Sequence, residues 1–369
     1  MPEIRAEGLR KAYGKVIALN GIDLTIRDGE YLSIVGPSGC GKTTLIKSIA
    51  GIIQPDAGEI KINGDIVTSL PIEDRGVGYV FQEIALFPHM NVYDNVSYGL
   101  MVRGVPPPER MGSIEEMLHM MNLEEYVSRY PRELSGGARQ KTAISRALTS
   151  GSTLLLLDEP LGALDLKVRT VLRYELRKLV KDLGLTAIHV THDQAEALSV
   201  SDRIVVMRAG RIVEVGPPLQ LYLRPKEIFT AKFLGEANFM IGEATETKDA
   251  GMSINVSGSK LNAIITGEIA PKKGEACVIA IRPEFVDLSS KPRKGNTWVC
   301  EVVGASFVGD SMRYEVRAKN GVTLLAKTPI SGGESSFAAG DKAYVTLPGE
   351  NLLLYGLPEE GLEKALSLE

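Results

Sequence analysis

Three cysteines, Cys40, Cys277 and Cys300, are scattered over 369 residues. They are too few and too far apart for a disulfide framework or a thiolate metal site, and a reducing compartment is the natural setting. No apolar run approaches the length that spans a bilayer, and Met1-Pro2-Glu3-Ile4-Arg5 carries no apolar targeting segment, so any membrane role is expected to come through a partner. Surplus positive charge is missing too. The 42 Lys and Arg residues against 46 Asp and Glu leave a net charge of -4, which argues against a general nucleic-acid binder. Tandem repeats and low-complexity tracts are absent. What remains is an ordinary soluble composition, 44% hydrophobic and 24% charged, with length for two or three domains that each have a core.

One stretch carries most of the information. Gly36-Pro37-Ser38-Gly39-Cys40-Gly41-Lys42-Thr43 fits the G-x-x-x-x-G-K-[ST] nucleotide loop without a mismatch. Tyr31-Leu32-Ser33-Ile34-Val35 reads as a buried strand feeding it. Leu45, Ile46, Ile49 and Ala50 follow at helical spacing, and Gly51 sits where a helix would stop. A strand, a glycine turn and a helix N-terminus make an anion cradle, because unpaired backbone N–H groups and the positive helix end face the phosphate. The expected nucleotide contacts are Gly36, Pro37, Ser38, Gly39, Cys40, Gly41, Lys42, Thr43 and Thr44, with Lys42 bridging the β- and γ-phosphates and Thr43 reaching Mg2+.

Residues 1–30 alternate as strands do: Ile4 and Ala6, then Val16, Ala18, Ile22, Leu24 and Ile26, with turns near Gly14 and Asp28-Gly29. Further strands are predicted at Glu59–Ile62 and Gly78–Phe81. Residues 83–150 turn rich in Met, Glu and Arg at helical spacing, broken at Pro106-Pro107-Pro108 and Tyr130-Pro131, which reads as a helical insertion into an α/β core. The α/β pattern returns with a strand at Thr153–Leu157, an amphipathic helix over Ala163–Leu183, a strand at Thr186–Val190 and a hairpin over Arg203–Val215 turning at Ala209-Gly210. Short apolar runs between helices indicate a parallel sheet covered on both faces. The expected domains are a core of 1–82 and 151–218, a helical subdomain of 83–150, a linker of 219–240 and a C-terminal domain of 241–369. In the last, short alternating strands suggest a small β-barrel or a pair of barrel-like folds.

Two more constellations carry chemistry. Leu154–Leu157 delivers Asp158-Glu159-Pro160 to the C-terminal edge of a buried strand, the edge where open α/β sheets bind ligands. Asp158 suits Mg2+, and Glu159 can polarise a water behind the γ-phosphate. Alone, the pair would read as an acidic turn; beside the nucleotide loop it reads as catalytic. Leu134-Ser135-Gly136-Gly137-Ala138-Arg139-Gln140 opens a helix with a second bare N-terminus. One ATP does not need two cradles on one chain, so the economical arrangement is a head-to-tail dimer with this cradle over the partner's ATP. The alternative is a plain glycine-rich helix start.

The loop at 36–43, Leu134-Ser135-Gly136-Gly137 and Leu157-Asp158-Glu159-Pro160, in that order, closely resemble the ATPases of ATP-binding cassette (ABC) transporters. The resemblance covers residues 3–235. It implies that Tyr13 stacks on adenine, with Val16 beside it, and that Gln82 senses Mg2+ and the attacking water. It further implies that His192 contacts the γ-phosphate and that Leu161–Asp165 crosses the dimer interface. Ser135, Gly136, Gly137 and Asp165 would then act in trans, Glu159, His192, Gln82 and Lys42 would be catalytic, and Thr43, Gln82 and Asp158 would face Mg2+. Ile281-Arg282-Pro283-Glu284 and Phe307–Tyr314 resemble the small oligonucleotide-binding-like barrels appended to the ATPases of maltose-, spermidine- and ferric-type importers. There the barrel dimerises and regulates. Phe233–Phe239 looks closer to the polyamine, iron and phosphonate branch than to the sugar branch.

The implied protein is an importer ATPase with ATP and Mg2+, a homodimer docked from the cytoplasmic face on integral membrane permease subunits, and indirectly served by an extracytoplasmic solute-binding protein. A groove near Leu86 and Phe87 would receive a permease helix, or those residues simply pack. A nucleic-acid partner is not expected: the tail aromatics Trp298, Tyr314, Tyr344 and Tyr355 come with no basic stacking platform. A non-transport ABC ATPase acting on nucleic acid or ribosomes is the alternative reading. An exporter ATPase and a nucleotide-gated regulator fit less well. Two departures stand out: Ala138 replaces a glutamine usual in this subfamily, and Lys141 an arginine. Cys40 would set a thiol beside the phosphates, so its alkylation is expected to inhibit and ATP to protect.

Overall fold

The computed structural model describes residues 2–248, 251–265, 271–330 and 337–367. Chain contacts separate two compact units between Pro218 and Leu219. The first opens with the long hairpin of β1 (Ile4–Tyr13) and β2 (Val16–Ile26). Then come β3 (Tyr31–Val35), α1 (Lys42–Ala50), β4 (Ala57–Ile62), β5 (Asp65–Ile66) and β6 (Val77–Val80). Three helices follow, α2 (Val92–Val102), α3 (Pro107–Met120) and α4 (Gly136–Thr149). The unit closes with β7 (Leu154–Asp158), α5 (Leu166–Asp182), β8 (Thr186–Val190), α6 (Gln194–Val200), β9 (Arg203–Arg208) and β10 (Arg211–Gly216).

Local chemistry explains the boundaries. Pro107 occupies the first turn of α3, where a missing N–H costs nothing, so the proline run starts that helix. The helix expected from Ala163 begins only at Leu166, because the Asp165 side chain accepts the Val168 N–H at 3.0 Å and caps it. Ala209 and Gly210, at φ 47 and 74, form the left-handed two-residue turn that matches strand twist between β9 and β10.

Two sheets result. An antiparallel one runs β2-β1-β4-β5, and the central one runs β10-β9-β3-β8-β7-β6. In the central sheet every pair is parallel except the β9–β10 hairpin. All five residues of β3, β7 and β8 are buried, as a sheet covered on both faces requires. Register decides where function falls. Val80 pairs with Leu157, Asp158 with Val190, and Val190 with Ile34, so the C-terminal ends of β6, β7, β8 and β3 finish on one line. The chain leaves that line as Gln82, Glu159, His192 and Gly36. At the other end of α1, Arg75 donates to the carbonyls of Ser48, Ile49, Thr68 and Leu70 at 2.8 Å each, which satisfies helix-end acceptors and anchors α1 from behind.

The second unit starts with α7 (Pro218–Leu223) and α8 (Ile228–Phe233). It continues through β11 (Asn238–Lys248), β12 (Gly251–Val256), β13 (Ser259–Ile265), β14 (Ala276–Ile281) and β15 (Asp287–Ser289). Then come β16 (Thr297–Phe307), β17 (Ser311–Ala318), β18 (Thr323–Pro329), β19 (Lys342–Thr346), β20 (Leu353–Gly356) and α9 (Leu362–Leu366). Of the two arrangements the strand pattern allowed, one closed barrel forms, β11-β12-β13-β20-β14, beside a five-stranded sheet, β15-β19-β16-β17-β18. One core spans both, with Met240, Ile254, Trp298, Tyr314 and Leu354 in it. Arg282 is buried, its guanidinium 3.7 Å from the Tyr222 ring centroid and its Nε donating to the Tyr222 carbonyl at 2.9 Å, which holds α7 to the barrel.

Candidate nucleotide site

Beyond the aligned strand ends lies a cavity of about 340 Å³ lined by Tyr13, Val16, Ala18, Ser38, Gly39, Gly41, Lys42, Thr43, Thr44 and Glu159. Most residues expected at a nucleotide are brought together here. α1 starts at Gly41 (φ 106) with no side-chain cap and no acidic residue in its first turn, so its leading N–H groups point at the cavity with their positive end uncompensated. Lys42 Nζ donates to the carbonyls of Gly36 at 2.8 Å and Pro37 at 2.9 Å. A third, long contact runs to Cys40 Sγ at 4.0 Å, so the lysine is bent over its own loop, and the weak sulfur contact is the one an anion can replace. Tyr13 and Val16 pair at the turn end of the β1–β2 hairpin, 48% and 65% exposed, an apolar face for a base ring.

Gly36, Pro37 and Cys40 do not line the cavity. The Cys40 side chain turns into the core, 4% exposed, under Gly36, and burial pushes its thiol up against the opposing pull of Lys42. This corrects the expectation of a thiol presented to the phosphates; alkylation of the folded protein has to wait for the loop to open.

Asp158 is 2% exposed and uses both oxygens. Thr43 Oγ1 donates to Oδ1 at 3.2 Å and the Tyr79 hydroxyl to Oδ2 at 2.9 Å. A buried carboxylate and a hydroxyl facing the phosphate cradle form the all-oxygen donor set that Mg2+ prefers, so these residues fit that ion. Burial, then the nearby carboxylate, pushes the Tyr79 phenol far up, keeping it a donor.

Glu159 stands one residue further, at φ 48 and ahead of Pro160, a left-handed backbone that swings its side chain off the strand line. Gln82 Nε2 donates to Glu159 Oε2 at 3.1 Å, and His192 Nδ1 lies 3.2 Å from the same oxygen. Two side chains far apart in sequence thus converge on one oxygen of Glu159.

Ser135, Gly136, Gly137 and Asp165 are not brought to this cavity. Ser135 caps α4 by accepting the Ala138 N–H at 3.2 Å, and Asp165 caps α5. Ser135 and Gly137 line a separate cavity of about 470 Å³ with Ala138, Val168 and Leu172. The glycines also have a reason within the chain: a Cβ on Gly137 would meet Val168 Cγ1 at 2.9 Å, and one on Gly136 would meet Leu164 Cδ2 at 3.1 Å. Lys141 pairs with Glu175 on α5 at 2.8 Å, a contact the sequence did not disclose.

Sequence reasoning also missed Tyr79 and Arg169. Arg169 donates to the carbonyls of Gly162 at 3.3 Å and Leu164 at 2.9 Å and to Asp193 at 3.4 Å, joining the turn after Glu159 to the turn after His192. Such bridges depend on tertiary placement and leave no local pattern. The Phe87 ring centroid lies 4.4 Å from that of Tyr98, with the Arg146 guanidinium 4.9 Å from the Phe87 ring.

Behind this edge His189 is wholly buried. Taking the Tyr31 hydroxyl, 3.1 Å away, as donor to Nδ1 puts the ring proton on Nε2, 3.6 Å from Glu196. Burial holds the imidazole down to about 3 against the pull of Asp193. The unfolded chain therefore takes up a proton that the folded one refuses, and stability falls as pH drops from 6.5 toward 3. His189→Gln is expected to remove about 2 kcal/mol of the loss between about pH 7 and about pH 5, read as a shallower pH dependence of the urea midpoint.

The ABC transporter family profile matches residues 19–162, and the TOBE domain profile matches residues 279–354. The spermidine/putrescine import ATP-binding protein PotA of Trichormus variabilis is 40% identical over 334 residues, covering 90% of this chain and 88% of the relative. Its counterpart in Rubrobacter xylanophilus is 38% identical over 355 residues, 96% of this chain and 93% of that one. Among solved structures, the ATP-binding cassette MJ0796, in a dimeric post-hydrolysis state bound to ADP and Pi, superposes with a TM-score of 0.52 at 31% identity, over 58% of this chain and 98% of that one. The chain belongs to the ATP-binding proteins of ABC transporters. It is an ATPase whose nucleotide domain precedes a TOBE domain, and the matched residues of that domain take in the whole five-stranded sheet β15–β19 beside the barrel.

Proposed function

We propose that two copies of this chain clamp two ATP molecules at a shared interface and couple their hydrolysis to import through membrane permease subunits. The observation that carries the reading is the separation of the two cradles. The nucleotide loop, Asp158, Glu159, Gln82 and His192 meet at one sheet edge, while Ser135 and Gly137 line a cavity of their own. Ser135 is exposed and has its own short-range bond, so a phosphate from a second copy is a fitting further occupant. The dimeric ADP-bound cassette among its structural relatives supports the same arrangement.

In this reading Lys42 and the α1 N–H groups hold the β- and γ-phosphates, and Tyr13 with Val16 stacks on the base. Thr43, Asp158 and Gln82 would hold Mg2+, which would supply charge neutralisation at the phosphates. Glu159, oriented by Gln82 and His192, takes the proton of the water that attacks in line, yielding ADP and phosphate. Loss of phosphate weakens the bridge and the dimer opens. Each ATP favours the closed state because it binds that state better.

A groove near Leu86 and Phe87 receives a helix of the permease subunits, which would keep the chain at the cytoplasmic face of the membrane as a peripheral subunit, supplied indirectly by a solute-binding protein. No helix among the described residues is long and apolar enough to cross a membrane. The polyamine branch, named in the relatives, is the favoured solute class. Burial of Trp298, Tyr314 and Tyr355 in the core weighs against a nucleic-acid role, since they cannot stack on bases.

Sedimentation with ATP and EDTA, where turnover stops, tests the clamp. The wild type is expected to dimerise at saturating nucleotide and Ser135→Arg to stay monomeric while still binding ATP. A wild type that remains monomeric would overturn the reading.

A further inference from the structure

Asp158 has a second holder. Tyr79 lies on β6 opposite Leu156 of β7, and its side chain reaches diagonally, two residues along, to Asp158 Oδ2 at 2.9 Å. The ring is fixed on its other side by Phe81, with centroids 4.6 Å apart. Thr43 takes Oδ1 from the loop side. A carboxylate held at one oxygen only can turn about its last torsion, which is broad and soft. Held at both, it has one orientation. With Asp158 only 2% exposed, water is a poor substitute for either donor.

We propose that Tyr79 is a positioning residue: its hydroxyl locks the Asp158 carboxylate so that Oδ1 faces the phosphate cradle in the orientation a magnesium–nucleotide complex needs. The inference rests on the reading of Thr43 and Asp158 as the Mg2+ side of the site. Tyr79 itself touches neither phosphate nor metal. Its contribution is to the metal-bound complex, because nucleotide held without Mg2+ relies on Lys42 and the backbone N–H groups alone.

The test compares the full-length wild type with Tyr79→Phe, which keeps the ring against Phe81. Affinity for a fluorescent, non-hydrolysable ATP analogue is titrated with excess MgCl2 and again with EDTA. The gain in affinity on adding Mg2+ is expected to fall about tenfold in Tyr79→Phe, with the EDTA affinity unchanged within about twofold. Half-saturating Mg2+ for turnover rises in step. An equal loss in both titrations, or none in either, overturns the proposal. Both titrations use one preparation, so partial unfolding lowers them alike and cannot imitate the expected result. Should the wild type gain nothing from Mg2+, the Mg2+ reading fails first, and that outcome is distinct from failure of Tyr79.

Discussion

Glu159→Gln is expected to lower steady-state ATP turnover by about 10² to 10⁴-fold while ATP binding persists. The geometry explains both halves. Gln82 Nε2 and His192 Nδ1 lie 3.1 and 3.2 Å from the same Glu159 oxygen, so the carboxylate is aimed by two side chains that hold no bulk of the cavity. Glutamine fills nearly the same volume and leaves the phosphate cradle untouched, but it cannot take a proton from water. The Gln82 amide would also face an amide group that can present either of its ends, whereas the carboxylate only accepts. If the clamped dimer is real, this variant accumulates it with MgATP, visible by sedimentation. Single-turnover and binding measurements separate the two effects. Turnover within threefold of wild type would remove Glu159 from its assigned place.

Gly41→Ala is expected to lower ATP affinity by about 100-fold or more, a loss equal to one or two charge-assisted hydrogen bonds. A Cβ at this position would stand 2.2 Å from the Ala18 carbonyl oxygen and 3.3 Å from Leu19 Cδ2. The oxygen belongs to the β2 backbone and cannot swing aside, so the loop must move instead. Backbone φ at 106 adds strain of about 1–3 kcal/mol for any side chain. Gly41 is also the residue on which α1 begins, so any movement there redirects the helix's leading N–H groups away from the phosphates. Gly64→Ala serves as the control. Its φ is 89, but nothing lies within 4 Å of its Cβ, so strain alone is paid and ATP affinity stays put. Equilibrium titration of labelled ATP, with melting curves on both variants, checks the pair. Equal affinity in Gly41→Ala and wild type would show that the loop accommodates a methyl group.

The legible parts of this protein are those whose signal is local. Unbroken apolar runs at Leu154–Leu157 and Thr186–Val190 announce strands buried on both faces, and the glycine loop with Lys42 and Thr43 announces its chemistry through spacing alone. The pattern places the start of α5 too early because apolar Ala163 and Leu164 extend it, whereas the Asp165 side chain caps the helix and starts it at Leu166. The C-terminal barrel is legible in its short alternating strands, but the strand order that closes it is not. Closure depends on β13 and β20 pairing in parallel, Ile264 with Leu353, across a long stretch of intervening chain. Tyr79 looked like one more strand residue; only the register of β6 on β7 aims it at Asp158. Cys40 was legible as a loop residue but not in its direction, since a loop's spacing says nothing of which side chains turn inward.

Under the proposed role of Glu159, the left-handed backbone there, with Pro160 directly after it, would set durability against catalysis. Conformations of this kind cost a non-glycine residue on the order of 1–3 kcal/mol, and the following proline narrows the options further. Glycine would relax there, so an engineer ranking substitutions by melting temperature alone would be drawn to a position where the gain in stability is expected to remove the proposed base.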